Sequence, residues 1–141
     1  MNDGAGGIAP LAAADADAAI ALWHEAGLTR PWNDPARDFA RALAGPASTI
    51  LGLKRDGALI ATVMAGDDGH RGWLYYLAVA AGARGQGHGK TMLGAAESWL
   101  AARGCPKAML MIRNDNPVEG FYAAAGYSTE DVLVMARWLE S

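Results

Sequence analysis

The chain of 141 residues has little that could cross-link it, because Cys105 is its only cysteine. A single cysteine excludes an intrachain disulfide, a cluster of thiolate metal ligands and a Cys-X-X-Cys redox motif. We therefore expect no metal site, and a core that needs neither metal nor disulfide support. Such a chain suits a reducing cytosol.

The chain also lacks a large excess of acidic or basic residues and a long apolar stretch. The 15 acidic and 12 basic residues leave a formal net charge of −3, and no run of Lys or Arg predicts a nucleic-acid track. No stretch of about 20 apolar residues could cross a bilayer, and residues 1–7 lack the basic start and apolar core of a secretory signal. We expect a cytoplasmic protein without a nucleic-acid or membrane partner.

The length suits one domain, and we assign residues 1–141 to a single one. Apolar periodicity and turn residues predict a mixed α/β order, with an antiparallel hairpin turning at Asp56 and Gly57, followed by a parallel strand-helix-strand unit. The predicted strands cover residues 8–11, 49–53, 59–65, 73–79, 107–113 and 132–139. Four helices are predicted. The first begins after Asp15 and ends at Gly27, the second covers residues 35–44, the third runs from the turn at 84–90 to Arg103, and the fourth covers residues 117–125.

Three helix starts carry polar residues that are typical of N-caps. Asp15 is placed to cap the first helix. Asp34 precedes a proline, which suits the first helical position. Asn116 also precedes a proline, and Glu119 stands three residues after it, as in a capping box. We expect these residues to begin three helices.

The most informative stretch is the turn 84–90, which follows the apolar strand 73–79 and opens a long helix. Glycines at positions 85, 87 and 89 let successive backbone N–H groups converge on an anion at the helix start. Arg84 and Lys90 add positive charge at the two ends of the turn. The pattern predicts a phosphate site; the alternative is a flexible turn that binds no ligand.

Two nucleotide-binding motifs do not fit this turn. A Walker A loop needs a glycine where this chain has Arg84. The dinucleotide fingerprint needs its last glycine where Lys90 or Met92 stands. A nucleotide site is therefore a remote alternative.

The motif that does fit is [QR]-x-x-G-x-[GA], which Arg84, Gly87 and Gly89 fill. It resembles the acetyl-CoA pyrophosphate loop of the GNAT N-acetyltransferases. The segment 121–127 is similar to the family's Y-x-x-x-G-[FY]. Residues 28–35, 68–72 and 102–107 resemble the small bacterial YpeA-type branch, so the resemblance covers nearly the whole chain.

The resemblance implies the GNAT fold, a central mixed sheet with splayed fourth and fifth strands flanked by four helices, and acetyl-CoA as cosubstrate. It places the pantetheine arm along the fourth strand and the pyrophosphate on the glycine turn. Asn116 stands six residues before Tyr122 rather than the family's seven, so it either contacts CoA or only caps its helix. The implied cofactor-binding residues are Leu77, Ala78, Val79, Arg84, Gly85, Gln86, Gly87, His88, Gly89, Lys90 and Asn116.

For catalysis, Tyr122 matches the family tyrosine that gives a proton to the departing CoA sulfur. The alternative is that Tyr122 only packs beside Phe121. The glutamates that serve as general base in relatives are missing, since Trp73 and Met111 stand at the corresponding positions. His70, in the loop before the fourth strand, is a candidate base, and a water chain is the other route.

By the resemblance, the acceptor site involves the loop between the first two helices and strand residues that face the cleft. Trp32, Asp34 and Tyr75 are the substrate-binding candidates, with Asn33 and Tyr76 beside them. Aromatic walls with a carboxylate suit a cationic amine. Strand alternation predicts that Tyr75 and Tyr76 point to opposite faces, so that one of them lines the site. Trp32 is either a site residue or a core anchor.

The implied function is transfer of an acetyl group from acetyl-CoA to a primary amine of a small molecule, peptide or protein. The alternative is a CoA-binding module with weak catalysis, since the usual carboxylates are absent. The partners are acetyl-CoA and the amine acceptor, and the last strand could join a neighbour in a homodimer.

Overall fold

The computed structural model describes residues 7–140, and its contacts divide the chain into two units after Met111. Among the described residues, the first unit holds five β-strands and three α-helices, and the second holds one short helix. No helix in the described part of the chain is long and apolar enough to span a membrane.

The elements follow in the predicted order as far as the fourth helix. Short 3-10 turns lie at Ala13–Asp15 and Ala81–Ala83. The strands are β1 (Ile8–Pro10), β2 (Ser48–Arg55), β3 (Ala58–Asp67), β4 (Gly72–Val79) and β5 (Ala108–Leu110); the helices are α1 (Ala16–Glu25), α2 (Pro35–Ala44), α3 (His88–Ala102) and α4 (Glu119–Ala124).

The sheet has the order β1-β2-β3-β4-β5. The first four strands are antiparallel, and β5 is parallel to β4. The β2–β3 hairpin turns at Asp56 and Gly57, whose φ angles of 53° and 81° are both positive, as a type I′ turn requires. The predicted hairpin and the predicted parallel crossover are both confirmed.

The pairing between β4 and β5 is short. It runs from Gly72 opposite Ala108 to Leu74 opposite Leu110, whereas β4 continues to Val79. The predicted strand 107–113 is therefore too long, because the ladder that defines a strand ends at Leu110. Among the described residues, no strand pairs with β4 on this side beyond Leu74.

Helices cover both faces of the sheet. Thr62 and Met64 face α1, since Thr62 accepts a hydrogen bond from Trp23 and Met64 packs against the core cluster that contains Trp23. The residues that follow each of them on β3 point to the other face, where α3 contacts the sheet. Buried Val63 and Ala65 thus belong to the α3 side.

Asp34 caps α2 as predicted. Asp15 stands directly before α1 as predicted, but its side chain does not cap that helix. Asp34 Oδ1 accepts from the backbone N–H groups of residues 36 and 37 at 3.1 and 3.2 Å. Asp15 occupies the N-cap position of α1 without capping it. Its carboxylate instead accepts from Ala12 N–H at 2.8 Å and pairs with Lys54 at 2.7 Å.

The start of α4 differs from the prediction. The helix begins at Glu119 with Val118 in the N-cap position, so Asn116 is not the cap. Val118 N–H donates to Asn116 C=O at 2.9 Å. This bond closes a γ-turn around Pro117, which delays the helix by two residues.

The predicted last strand, residues 132–139, is wrong. Within the described part of the chain, no strand pairs with these residues. Alternating apolar side chains suit a strand, but a strand also needs a ladder of backbone bonds. Several large apolar side chains of this segment are exposed, among them Leu133 and Trp138.

We predict that Gly72→Ala lowers the free energy of unfolding by about 1–3 kcal/mol, the usual cost of overpacking a core. A Cβ at Gly72 would lie 2.6 Å from Leu100 Cδ1 and 3.0 Å from its Cγ, and Leu100 is buried. Urea unfolding measures the change. Gly66→Ala is the control, because a Cβ at Gly66 meets nothing within 4 Å. Equal stabilities of the two variants would contradict the packing assigned to Leu100.

Candidate active site

The glycine turn joins the end of β4 to the start of α3. Gly85 and Gly87 have φ angles of 78° and 83°, in the left-handed region that favours glycine. A Cβ at either position would meet no atom within 4 Å, so their outer sides are open. The first intrahelical bond runs from Thr91 N–H to Gly87 C=O. The amides of residues 88–90 therefore point beyond the helix start, where an anion is stabilised.

Two side chains hold the segment that leads from β4 into this turn. Glu25, at the end of α1, accepts from Ala81 N–H at 2.7 Å. Arg84 Nε donates to Val79 C=O at 3.2 Å. Sequence reasoning missed Glu25, because no local pattern links a residue in the first helix to a turn 56 positions later.

The side chains within the turn contact one another. His88 is buried, and its Nε2 lies 3.3 Å from Gln86 Oε1. The polar atoms that remain for an anion are mainly backbone N–H groups, as in an anion-binding nest. The geometry therefore suits a ligand with several anionic oxygens.

β4, which precedes the glycine turn, contains a bulge at Tyr76 and Leu77. Thr62 pairs with Ala78 and Met64 pairs with Tyr75, so two residues of β4, Tyr76 and Leu77, stand opposite a single residue of β3. Tyr76 has a φ of 53°, which is uncommon for a residue with a side chain. Nothing in the sequence marks this bulge, since no glycine stands there.

The bulge overturns the prediction that Tyr75 and Tyr76 point to opposite faces. Tyr75 lies opposite Met64, and directly paired residues of antiparallel strands share a face. Met64 packs against the α1–α2 core cluster. Tyr76 stacks on Trp23 of α1 at 3.8 Å between ring centroids. The extra residue interrupts the alternation, so both tyrosines lie on the α1–α2 side.

Tyr76 is the centre of a polar network. Its hydroxyl donates to Asp38 Oδ2 at 2.7 Å, and its backbone carbonyl accepts from Thr62 Oγ1 at 2.9 Å. Thr62 Oγ1 in turn accepts from Trp23 Nε1 at 3.0 Å. Burial, then the bond to Asp38 and its negative charge, raise the pKa of Tyr76 well above its ordinary value. The phenol therefore remains a hydrogen-bond donor.

The loop before β4 carries an anchored carboxylate. Asp68 Oδ1 accepts from the N–H groups of His70 and Arg71 at 2.8 and 2.7 Å, and Oδ2 accepts from Trp73 Nε1 at 3.2 Å. Hydrogen bonds from the backbone of Arg71 and His70 lower the pKa of Asp68. Burial, followed by the charge of Asp68, raises the pKa of Tyr75. The structure thus brings exposed His70 and Tyr75 to the surroundings of one carboxylate.

The other acceptor candidates lie in the loop before α2 and at its start. Trp32 is 50% exposed, so it is not a buried core anchor. Asp34 uses one carboxylate oxygen, Oδ1, to cap α2. Its location at a helix start gives this carboxylate a fixed orientation.

Tyr122 and Asn116 belong to the second unit. The Tyr122 ring contacts Phe121 and Tyr127 edge-to-face, with centroids 5.0 and 5.9 Å apart. Burial raises the pKa of Tyr122 above its ordinary value of 10.0. The phenol is therefore protonated at neutral pH and a weaker acid than an exposed tyrosine. Among the described residues, no group of three His, Cys, Asp or Glu could hold a metal.

Comparison with known proteins identifies relatives along most of the chain. The sequence profile of the Acetyltransferase (GNAT) family matches residues 15–127. An acetyltransferase of Yersinia enterocolitica is 40% identical over 126 residues, which cover 89% of each chain.

Two solved structures share the fold. AAC(6')-Iy in complex with the bisubstrate analogue CoA-S-monomethyl-acetylneamine has a TM-score of 0.78 at 16% identity, over 93% of this chain and 96% of that one. A predicted acetyltransferase of Clostridium acetobutylicum with acetyl-CoA has a TM-score of 0.77 at 16% identity, over 92% and 94%. At such identities the likeness concerns the fold alone.

Proposed function

This chain belongs to the GNAT family of acetyltransferases, and from that premise we propose that it transfers the acetyl group of acetyl-CoA to a primary amine of a small molecule, peptide or protein. One observation carries the proposal. The β4 bulge, residues 77–79 and the glycine turn follow one another along the chain and end at a helix start with free amides. This order agrees with that of the parts of acetyl-CoA, which has a thioester at one end and a pyrophosphate towards the other.

Acetyl-CoA would lie along β4. The amides of residues 84–90 would bind its pyrophosphate, and the backbone of Leu77, Ala78 and Val79 would bind its pantetheine arm. The ladder to β5 ends at Leu74, which supports a ligand beside residues 77–79. Asn116 does not cap α4. Of its two predicted roles, helix cap and CoA contact, we therefore propose the second.

The reaction needs a neutral amine to attack the thioester carbonyl. The C–N bond forms, the C–S bond breaks, and the CoA sulfur leaves with its electron pair. Tyr122 would give this sulfur a proton, and His70, directly or through water, would take a proton from the attacking amine. The Tyr122 phenol is protonated at neutral pH, as a donor must be, but its raised pKa makes it a weaker acid, so the donor role rests on its match to the family tyrosine.

The acceptor amine would bind on the α1–α2 side, at Trp32, Asp34 and Tyr75. Aromatic faces and a fixed carboxylate attract an ammonium group before it loses its proton. One structural neighbour was solved with an analogue that joins CoA to acetylneamine, which supports an amine acceptor. The anchored carboxylate of Asp68 beside Trp73 adds negative charge on the same face.

We predict that Gly87→Val weakens acetyl-CoA binding at least tenfold. Valine does not readily adopt the φ of 83° at this position, so the turn would shift and its amides would move away from the pyrophosphate. Losing one hydrogen bond to a charged group costs about 1.5–3 kcal/mol. Calorimetric titration measures the dissociation constant. Gly94→Ala on α3 is the control, since a Cβ there meets nothing within 4 Å. If Gly87→Val fails to fold, Gly87→Ala replaces it. A folded Gly87 variant that binds acetyl-CoA as wild type does would refute the pyrophosphate site.

We predict that Tyr122→Phe lowers kcat by roughly 100-fold, the lower end for a general acid, while acetyl-CoA affinity is retained. The acid form exists below the pKa of Tyr122, which burial raises above 10.0, and it is lost as pH rises through that pKa. Wild type should therefore lose no Tyr122-dependent activity below about pH 10. Thiol release across pH measures both effects, and undiminished turnover in Tyr122→Phe would exclude the role.

We predict that His70→Gln lowers kcat/KM by roughly 100-fold, as expected for loss of a general base, and changes the pH profile of kcat/KM. His24→Gln is a matched control, because His24 is an exposed histidine on α1 that bonds to Thr29. Thiol release with one amine, followed across pH, gives the profiles. An unaltered profile in His70→Gln would leave the water chain as the route for the proton.

A further inference from the structure

The bulge in β4 is held by side chains from three other elements, Thr62 of β3, Trp23 of α1 and Asp38 of α2, and the proposed reaction gives these side chains no role. We propose that Asp38 and Tyr76 are positioning residues for acetyl transfer: they fix the bulge beside which the thioester lies. The inference rests on the proposed course of acetyl-CoA along β4. Asp38, on α2 beside the proposed acceptor loop, would thus hold the backbone of Tyr76 on β4 beside the proposed cofactor.

The first reason is the backbone of Tyr76. A φ of 53° at a residue with a side chain is sparsely populated, so this conformation persists only where the surroundings enforce it. A glycine would adopt it freely, yet the chain has a tyrosine here. The conformation therefore depends on what the tyrosine contacts.

The second reason is that Tyr76 is held at three points. Its carbonyl accepts from Thr62, its ring stacks on Trp23 at an interplanar angle of 13°, and its hydroxyl donates to Asp38. Trp23 and Thr62 have no exposed surface. Both hydrogen bonds of Tyr76 are partly buried, but Trp23 and Thr62 are core side chains, whereas Asp38 is half-buried on α2. The hydroxyl contact is thus the one that can be removed while the fold remains.

The third reason is where Asp38 sits. It lies one turn into α2, and its N–H donates to the carbonyl of Asp34 at 2.9 Å. Asp34 caps this helix and follows the loop that contains Trp32. A single bond of 2.7 Å therefore connects the helix next to the proposed acceptor loop with the bulge next to the proposed thioester.

Removing the Tyr76 hydroxyl should make the bulge more mobile without preventing acetyl-CoA binding. Acetyl-CoA would still bind through the glycine turn, so its dissociation constant should change less than about twofold. The thioester would lie less well aligned with the amine, and misplacement by about 1 Å costs up to roughly 100-fold in rate. We expect kcat to fall about 10- to 100-fold in Tyr76→Phe and in Asp38→Ala.

The test compares these variants with two others. Asp38→Asn keeps an oxygen that accepts from the Tyr76 hydroxyl, so it should retain kcat within about threefold if geometry is what matters. Ser48→Ala is the matched control, because it also removes a part-buried bond to α2, from Ser48 Oγ to Ala42 C=O at 2.8 Å. It should lower the melting temperature and leave kcat per folded molecule unchanged.

Two results would overturn the proposal. One is a kcat in Tyr76→Phe and Asp38→Ala equal to that of Ser48→Ala, which means that the bond only stabilises the fold. The other is an Asp38→Asn variant as slow as Asp38→Ala, which means that the charge of Asp38 is required rather than its hydrogen bond.

Amide hydrogen exchange at residues 75–78 gives a readout that does not need turnover. We expect faster exchange there in Tyr76→Phe than in Ser48→Ala, by at least tenfold. If wild type neither binds acetyl-CoA nor acetylates any amine, the proposed function fails, and exchange still decides whether the Asp38–Tyr76 bond holds the bulge. Equal exchange in the two variants would overturn that claim on its own.

Discussion

β4 pairs with β3 from end to end, but it pairs with β5 only as far as Leu74. Backbone N–H and C=O groups need partners, and beyond Leu74 no described strand supplies them on the β5 side. The pantetheine arm of CoA has amide groups of its own, which is why we propose that it lies beside residues 77–79. The bulge at Tyr76 and Leu77 lies within this edge, and the glycine turn follows it along the chain.

The bulge changes both the edge and the face of β4. One additional residue relative to β3 turns Tyr75 and Tyr76 to the same side of the sheet, so the α1–α2 side receives two phenols in succession. The same residue takes an unfavourable φ, which the contacts to Thr62, Trp23 and Asp38 must offset. Local strain and a local network therefore occur together, as is common at functional sites.

The sequence predicts well those parts of the fold that neighbouring residues determine. Asp56 and Gly57 specify the hairpin, and Asp34 specifies the start of α2, because turns and caps are short-range interactions. The glycine turn is predicted for the same reason. The family resemblance extends this to the topology, since the fold of β4, α3 and β5 follows a known arrangement.

Long-range contacts are the parts that the sequence does not reveal. The bond between Glu25 and Ala81 joins residues 56 positions apart, and that between Asp38 and Tyr76 joins residues 38 apart. No periodicity predicts a bulge at a tyrosine, so alternation gives the wrong face for that residue. Residues 132–139 show the opposite error: the alternation is present, but among the described residues no strand pairs with them.

The two ends of β4 differ in charge in a way that fits the proposed reactants. Arg84, Lys90 and the first amides of α3 make the C-terminal end suitable for an anion. At the N-terminal end, hydrogen bonds from the Arg71 and His70 backbone lower the pKa of Asp68, which is therefore negative at neutral pH. Such a carboxylate attracts an ammonium ion and also stabilises its charged form. An amine that arrives in this way must lose a proton before it can attack, so recruitment and deprotonation need different groups, and Asp68 suits only the first.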